Sequence, residues 1–119
     1  MKIRVTSVFK LEGAPDVAKE AEALLGSMTR RESTAPEFSE ADVTAVIAQH
    51  LVSASVVVSA SGWQDAESRA TTFIDDSITS IGGIVVRSAT GSNDSQPRLH
   101  APVHAGISAR IQSTELVPA

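Results

Sequence analysis

An α+β two-layer sandwich is the fold class this sequence predicts, and three observations carry it. Residues 2–12 alternate apolar and polar. Residues 51–87 read as strand, helix, strand, in LVSASVVVSASG, WQDAESRATTFIDDSITSIGG and IVVR. Residues 103–113 alternate again. Alternation at period two marks a half-buried strand, and apolar residues three and four apart mark one face of a helix. Strands apolar on one side must bury that side, and helices laid over it are the available cover.

In KIRVTSVFKLE, Ile3, Val5, Ser7, Phe9 and Leu11 face one way. Lys2, Arg4, Thr6, Val8, Lys10 and Glu12 face the other. Gly13 ends this strand. Pro15 suits the first position of a helix and Asp16 its first turn, where the helix dipole favours negative charge. Val17, Ala21, Leu24, Leu25 and Met28 form its apolar stripe, Lys19, Glu20 and Glu22 its wet side. Gly26 weakens the helix near its end. Residues 29–38 are a polar connection.

After Ser39, the residues Val43, Val46, Ile47, His50 and Leu51 recur at helical spacing, with Glu40 and Asp42 at the start. A strand through Val43–Ile47 competes with this reading. No Gly, Pro, Asn or Asp stands between Val43 and Gly62, which argues against a hairpin. A short helix over about 40–50 is therefore expected.

In the middle unit, Val52, Ala54, Val56, Val58 and Ala60 alternate with Ser53, Ser55, Val57, Ser59 and Ser61. Ser61 and Gln64 are spaced as a capping box. Ala66, Ala70, Phe73, Ile74, Ile78 and Ile81 make the next helical stripe, and Gly82 and Gly83 close it. Ile84–Val86 is an apolar run suited to a buried strand. Two strands joined through a helix should lie parallel in one sheet.

Residues 88–102 are dense in Gly, Ser, Asn, Asp and Pro and are expected to form a mobile loop. Val103, Ala105, Ile107, Ala109 and Ile111 are the inward set of a last strand, and residues 113–119 read as a loose tail. The expectation is a single domain over 1–119. It has a mixed four-stranded sheet (about 2–12, 51–60, 83–88 and 103–113) with two or three helices on one face, ferredoxin-like or related. At an offset of 49 residues, Val8, Gly13, Asp16 and Ala21 match Val57, Gly62, Asp65 and Ala70. Shared capping rules at two strand–helix joints account for that match, with an internal duplication as the alternative, and either way two strand–helix units are expected.

Composition removes several function classes. There is no cysteine, hence no disulfide, thiolate nucleophile or cysteine-held metal. Net charge is −4 and the basic residues are scattered, with three Phe, one Trp and no Tyr. A nucleic-acid binder needs a basic patch and, for single strands, stacking aromatics, so no nucleic-acid partner is expected. No apolar run approaches the ~20 residues that span a bilayer and no secretion signal is read at the start. The expectation is cytoplasmic synthesis and no membrane partner.

Candidate chemistry is thin. His100 and His104 on an extended chain would lie roughly 13 Å apart, too far to share a metal ion. His50 reads as a histidine on the apolar side of its helix. Asp75 and Asp76 diverge by about 100° on a helix. Gly13 and Gly62 precede helix starts, but no GxGxxG, GxxxxGK[ST] or GxSxG pattern is present. No catalytic, cofactor-binding or metal-ligating residue is assigned, and no cofactor is expected.

What remains is an interaction surface. Trp63, a residue type enriched at interface hot spots, is one candidate. The small polar strand face of Ser53, Ser55 and Ser59 is another, and His100, His104 and Arg110 complete the set. The expected function is a non-enzymatic structural or interaction subunit that self-assembles or docks on other protein subunits, as virion, tail or shell components do. The alternative is a small-molecule-binding or enzymatic domain with a pocket between sheet and helices or across a dimer, lined by His50, His100, His104 and Trp63.

Overall fold

A computed structural model describes residues 1–13, 15–86 and 108–119. The elements run β1 (Lys2–Glu12), α1 (Val17–Glu32), β2 (Phe38–Val46), a 3-10 turn (Ile47–Gln49), β3 (Leu51–Ser59), α2 (Trp63–Ser80), β4 (Ile84–Val86) and β5 (Ser108–Pro118). All five strands share one sheet, in the order β2-β3-β1-β5-β4. β3 is antiparallel to both β2 and β1, β1 is antiparallel to β5, and β5 is parallel to β4. The molecule is a two-layer α+β sandwich with a mixed sheet. Its first six main elements follow the β-α-β-β-α-β order of ferredoxin-like folds. β5 is inserted between β1 and β4.

The core lies between the sheet and the two helices. Ile3, Val5, Phe9 and Leu11 of β1 and Val52, Ala54, Val56 and Val58 of β3 form its floor. Val17, Ala21, Leu24 and Met28 of α1 and Ala66, Ala70, Phe73, Ile74 and Ile78 of α2 form its roof. The alternation read in both strands and the stripes read in both helices are borne out. Burying each large aliphatic or aromatic side chain supplies about 1.5–3 kcal/mol, so this one cluster holds the layers together. Where the helices cross, the side chains are small: Ser27 Oγ lies 2.7 Å from Ser80 Oγ. The buried Ser77 hydroxyl donates within its own helix to the Phe73 carbonyl.

Both helix starts differ slightly from expectation. Pro15 lies outside α1, because Asp16 is the N-cap, its side chain accepting from the Lys19 N–H. At α2 the cap is Gly62, and Asp65 rather than Gln64 reaches back, accepting from the Ser61 N–H at 3.0 Å and from its hydroxyl. That backbone N–H first, then the Arg69 guanidinium, hold the Asp65 carboxyl below the ordinary carboxylate value of 3.8. The folded state therefore takes up this proton less readily than the unfolded chain. The stabilisation is present above the ordinary value and is lost as pH falls through the lowered one. Asp65→Asn should be less stable than the parent at neutral pH. The gap in urea midpoint should close as pH drops below the ordinary carboxylate range; an unchanged gap at low pH refutes the charge-based account.

Two expectations are corrected. Residues 40–50 are not a helix: Phe38–Val46 is the edge strand β2, and Val46 pairs with Leu51 to close a hairpin. The turn needs no glycine because His50 takes the left-handed conformation, φ 57°, after the 3-10 turn. The expected four strands thus become five, with two helices. The tail is not loose either. Ser113–Pro118 continues β5 along β1, and the Ala119 N–H donates to the Lys2 carbonyl. The last strand was expected over 103–113, of which residues 103–107 lie outside the described residues, as does the loop 88–102. The expectation that β3 and β4 lie parallel in one sheet is borne out, with β1 and β5 between them.

His50 is exposed, not lodged against the core. Its carbonyl accepts from the Leu11 N–H at 2.8 Å, and that backbone bond survives any side chain. A residue with a Cβ pays about 1–2 kcal/mol to sit in this region, which glycine avoids while losing some unfolded-state freedom. His50→Gly is expected to raise stability by about 0.5 kcal/mol, read as a higher denaturation midpoint. A fall in the midpoint would show the imidazole holding a contact.

Candidate interaction face

Because strand side chains alternate, the ladder registers place a second set of residues on the sheet face away from the helices. β2 contributes Ser39, Asp42, Thr44 and Val46, and β3 contributes Leu51, Ser53, Ser55, Val57 and Ser59. β1 contributes Lys2, Arg4, Thr6, Val8, Lys10 and Glu12, and β5 contributes Ser108, Arg110, Ser113, Glu115 and Val117. Among the described residues no helix covers this face. Most of its side chains are exposed or half-buried.

One residue of the face is closed off. Val57 is 2% exposed although no helix lies over it. Arg4 and Ser39 flank it on the neighbouring strands, and the Arg4 guanidinium meets Glu40 Oε1 at 2.8 Å. That ion pair joins β1 to β2 and must therefore pass over β3 at Val57. The charges are partly exposed, so their direct Coulomb gain is small. Covering a valine adds an apolar contribution through the arginine stem. Glu40 sits where the β2–β3 register shifts, in the left-handed region at φ 55°, and the Ala41 N–H freed there donates to the Glu32 carboxylate of α1.

The charge is sorted by strand. β3 contributes none. β1 carries three cations, Lys2, Arg4 and Lys10, against one carboxylate, Glu12, a net of +2. β2 carries Glu40 and Asp42, a net of −2. On β5, Arg110 reaches Glu12 Oε1 at 3.4 Å while standing directly across the ladder from Lys10, a like-charge juxtaposition that costs energy in isolation. Lys2, Lys10 and Asp42 have no ion-pair partner among the described residues.

Of the expected interface residues, the structure brings Ser53, Ser55, Ser59 and Arg110 onto this one face. Trp63 is 47% exposed but is the first residue of α2, in the helix layer, and does not join them. His100 and His104 lie outside the described residues. Asp42, Thr44 and Val46 belong to the face and were missed. Reading residues 40–50 as a helix hid them, and only the alternation Val43, Ala45 against Asp42, Thr44, Val46 could have exposed them.

The helix side offers a shallow groove of roughly 380 Å³ between the end of α1, the start of β2 and α2. Its floor is the Phe38–Phe73 pair, centroids 4.3 Å apart, and its walls include Arg31, Arg69, Glu37 and Asp76. Neither His50 nor Trp63 lines it, contrary to the pocket expected from sequence. Arg69 is engaged by Asp65, and Arg31 donates to the Asp76 carbonyl at 3.3 Å. Among the described residues no group of three or more His, Asp or Glu is placed to hold a metal ion. No described helix is long and apolar enough to cross a membrane. In comparisons with known proteins, no family model, no curated protein and no solved structure matches the chain.

Proposed function

We propose that this chain is a non-enzymatic structural or interaction subunit that works by self-assembly or docking, with the open sheet face as its contact surface. One observation carries the reading: a sheet whose second face is uncovered among the described residues and has a row of small uncharged residues, Ser53, Ser55 and Ser59, between oppositely charged strands. Small side chains in the centre let another surface approach closely, and opposite charges at the flanks favour a particular orientation over others. Components of larger shells, tails or virions are one setting for such a subunit.

The test is the native mass of the chain recovered from its own cells. It should run well above a single copy, and Ser53→Arg, which sets a bulky charge in the uncharged row, should return it to single-copy mass while keeping a cooperative thermal transition. A single-copy mass for the unaltered chain overturns the proposal.

The groove at Phe38 and Phe73 favours a second reading, a small-molecule-binding domain. A ligand seated there would raise the melting temperature by mass action. A metabolite and metal screen with no stabilisation counts against it.

A further inference from the structure

The open face is more specific than a generic docking surface. We propose that its occupant is a second copy of this chain, packed face to face about a two-fold axis that lies in the interface along β3; this rests on the assembly reading above. The argument is one of charge and symmetry. A rotation about an axis running along β3 keeps each residue at its own level along the strands and exchanges the two flanks. β2 of one copy, net −2, then covers β1 of the other, net +2, and the same contact is made twice. An axis in the interface but across the strands would set β1 on β1 and β2 on β2, like on like. Opposed sheets prefer mean strand directions within about 30° of one another, which both axes satisfy, so the charge decides between them.

Level by level the opposite charges meet on the diagonal rather than head-on: Val46 of one copy arrives over Lys10 of the other, and Lys2 lies just beyond Phe38, where β2 begins. Asp42 and Thr6 both lie beside Ser55, so Asp42 of one copy arrives over Thr6 of the other. The neighbouring position on that face of β1 is Arg4, about 7 Å further along. Arg4 holds Glu40 of its own chain through one terminal nitrogen, and a guanidinium has donors left for a second carboxylate. Ser53, Ser55 and Ser59 meet their own copies at the axis, and between Ser55 and Ser59 the two Arg4–Glu40 pairs that lie over Val57 meet there as well. Three strands spaced about 4.8 Å apart and nine residues long give a patch of roughly 15 by 30 Å. That buries about 900 Å² in all, below stable specific interfaces and within the range of transient ones, so the dimer is reversible and weakens with salt.

The experiment is sedimentation equilibrium of the purified chain over a range of concentration and salt, with two charge variants. Asp42→Lys with Thr44→Lys changes the β2 flank from −2 to +1, on an edge strand where lysine is well tolerated. Lys2→Glu with Lys10→Glu changes the β1 flank from +2 to −2. The parent should dimerise, each variant alone should dimerise at least about tenfold more weakly, and an equimolar mixture of the two should recover the affinity. Melting temperatures equal to the parent's at a concentration too low for the dimer show that the variants fold.

A parent that remains single at the highest soluble concentration overturns the pairing. So does a dimer indifferent to both variants. If the chain in its own cell extract still runs above single-copy mass in either case, the assembly reading survives and this pairing does not; single copies in both settings overturn both.

Discussion

Replacing Phe9 by alanine is expected to cost about 3–5 kcal/mol, a large part of the 5–15 kcal/mol that holds a domain folded. Phe9 is 1% exposed and lies in the central strand, paired with Val52 on one side and Ile111 on the other. Beside it is a gap of only about 20 Å³, walled by Leu24, Val52 and Ile78 among others. Truncation would enlarge that gap in a place where strand and helices are both held, so little collapse can refill it. Val8→Ala is the matched control. Val8 is the next residue, half-buried on the open face, and its truncation should cost less than about 1 kcal/mol. Urea unfolding of both variants checks the pair. In the chain diluted to single copies, a Val8→Ala cost as large as that of Phe9→Ala would mean the second face is already covered by the chain itself, which would remove the surface on which the assembly reading stands.

The parts of the fold that could be read in advance are those whose periodicity is unbroken. β1 and β3 alternate over their whole lengths, and α1 and α2 keep their stripes from end to end, so their buried faces follow from spacing alone. The two misreadings both fall at bulges. In β2, Phe38 faces the core, but the inward set resumes at Val43 and Ala45 because the register shifts between Ser39 and Asp42. In β5, Ala109 and Ile111 face inward, then Thr114 and Leu116 pair opposite the inward residues Ser7 and Val5, because the register shifts opposite Val8 and Phe9. One extra residue reverses the parity of everything after it. The run at Val43, Val46, Ile47, His50 and Leu51 then imitates a helix, and STELVPA imitates a tail. The hairpin was hidden for a related reason, since its left-handed turn residue is a histidine where glycine or asparagine is the usual signal. The candidate face inherited these gaps. Its serine row came from the regular strand β3, and its acidic flank sits on the bulged strand.

Gly83→Ala is expected to destabilise the chain by about 1–3 kcal/mol, and the cause is local enough to be isolated. Helix α2 ends in a Schellman arrangement: the Gly82 N–H donates to the Thr79 carbonyl and the Gly83 N–H to the Ile78 carbonyl, with Gly82 at φ 92°. Gly82 is glycine for its conformation, Gly83 for space. A Cβ on Gly83 would stand 2.7 Å from Ile78 Cγ2 and 3.3 Å from the Ile78 carbonyl oxygen. The methyl cannot swing clear at little cost, because Ile78 is 3% exposed and branched at Cβ, so one rotamer dominates in a helix. Either Ile78 leaves its place in the core or the helix end opens. Gly82→Ala meets no atom within 4 Å and should cost about 1 kcal/mol, from backbone strain alone. The two causes separate in a double-mutant cycle. Ile78→Ala removes the obstructing methyl, so Ile78→Ala with Gly83→Ala should cost clearly less than the sum of the single changes, whereas Ile78→Ala with Gly82→Ala should be close to additive. Additivity in both pairs would show that the crossing from α2 to β4 tolerates a side chain at Gly83, and that the tight exit of the chain from α2 does not depend on that glycine.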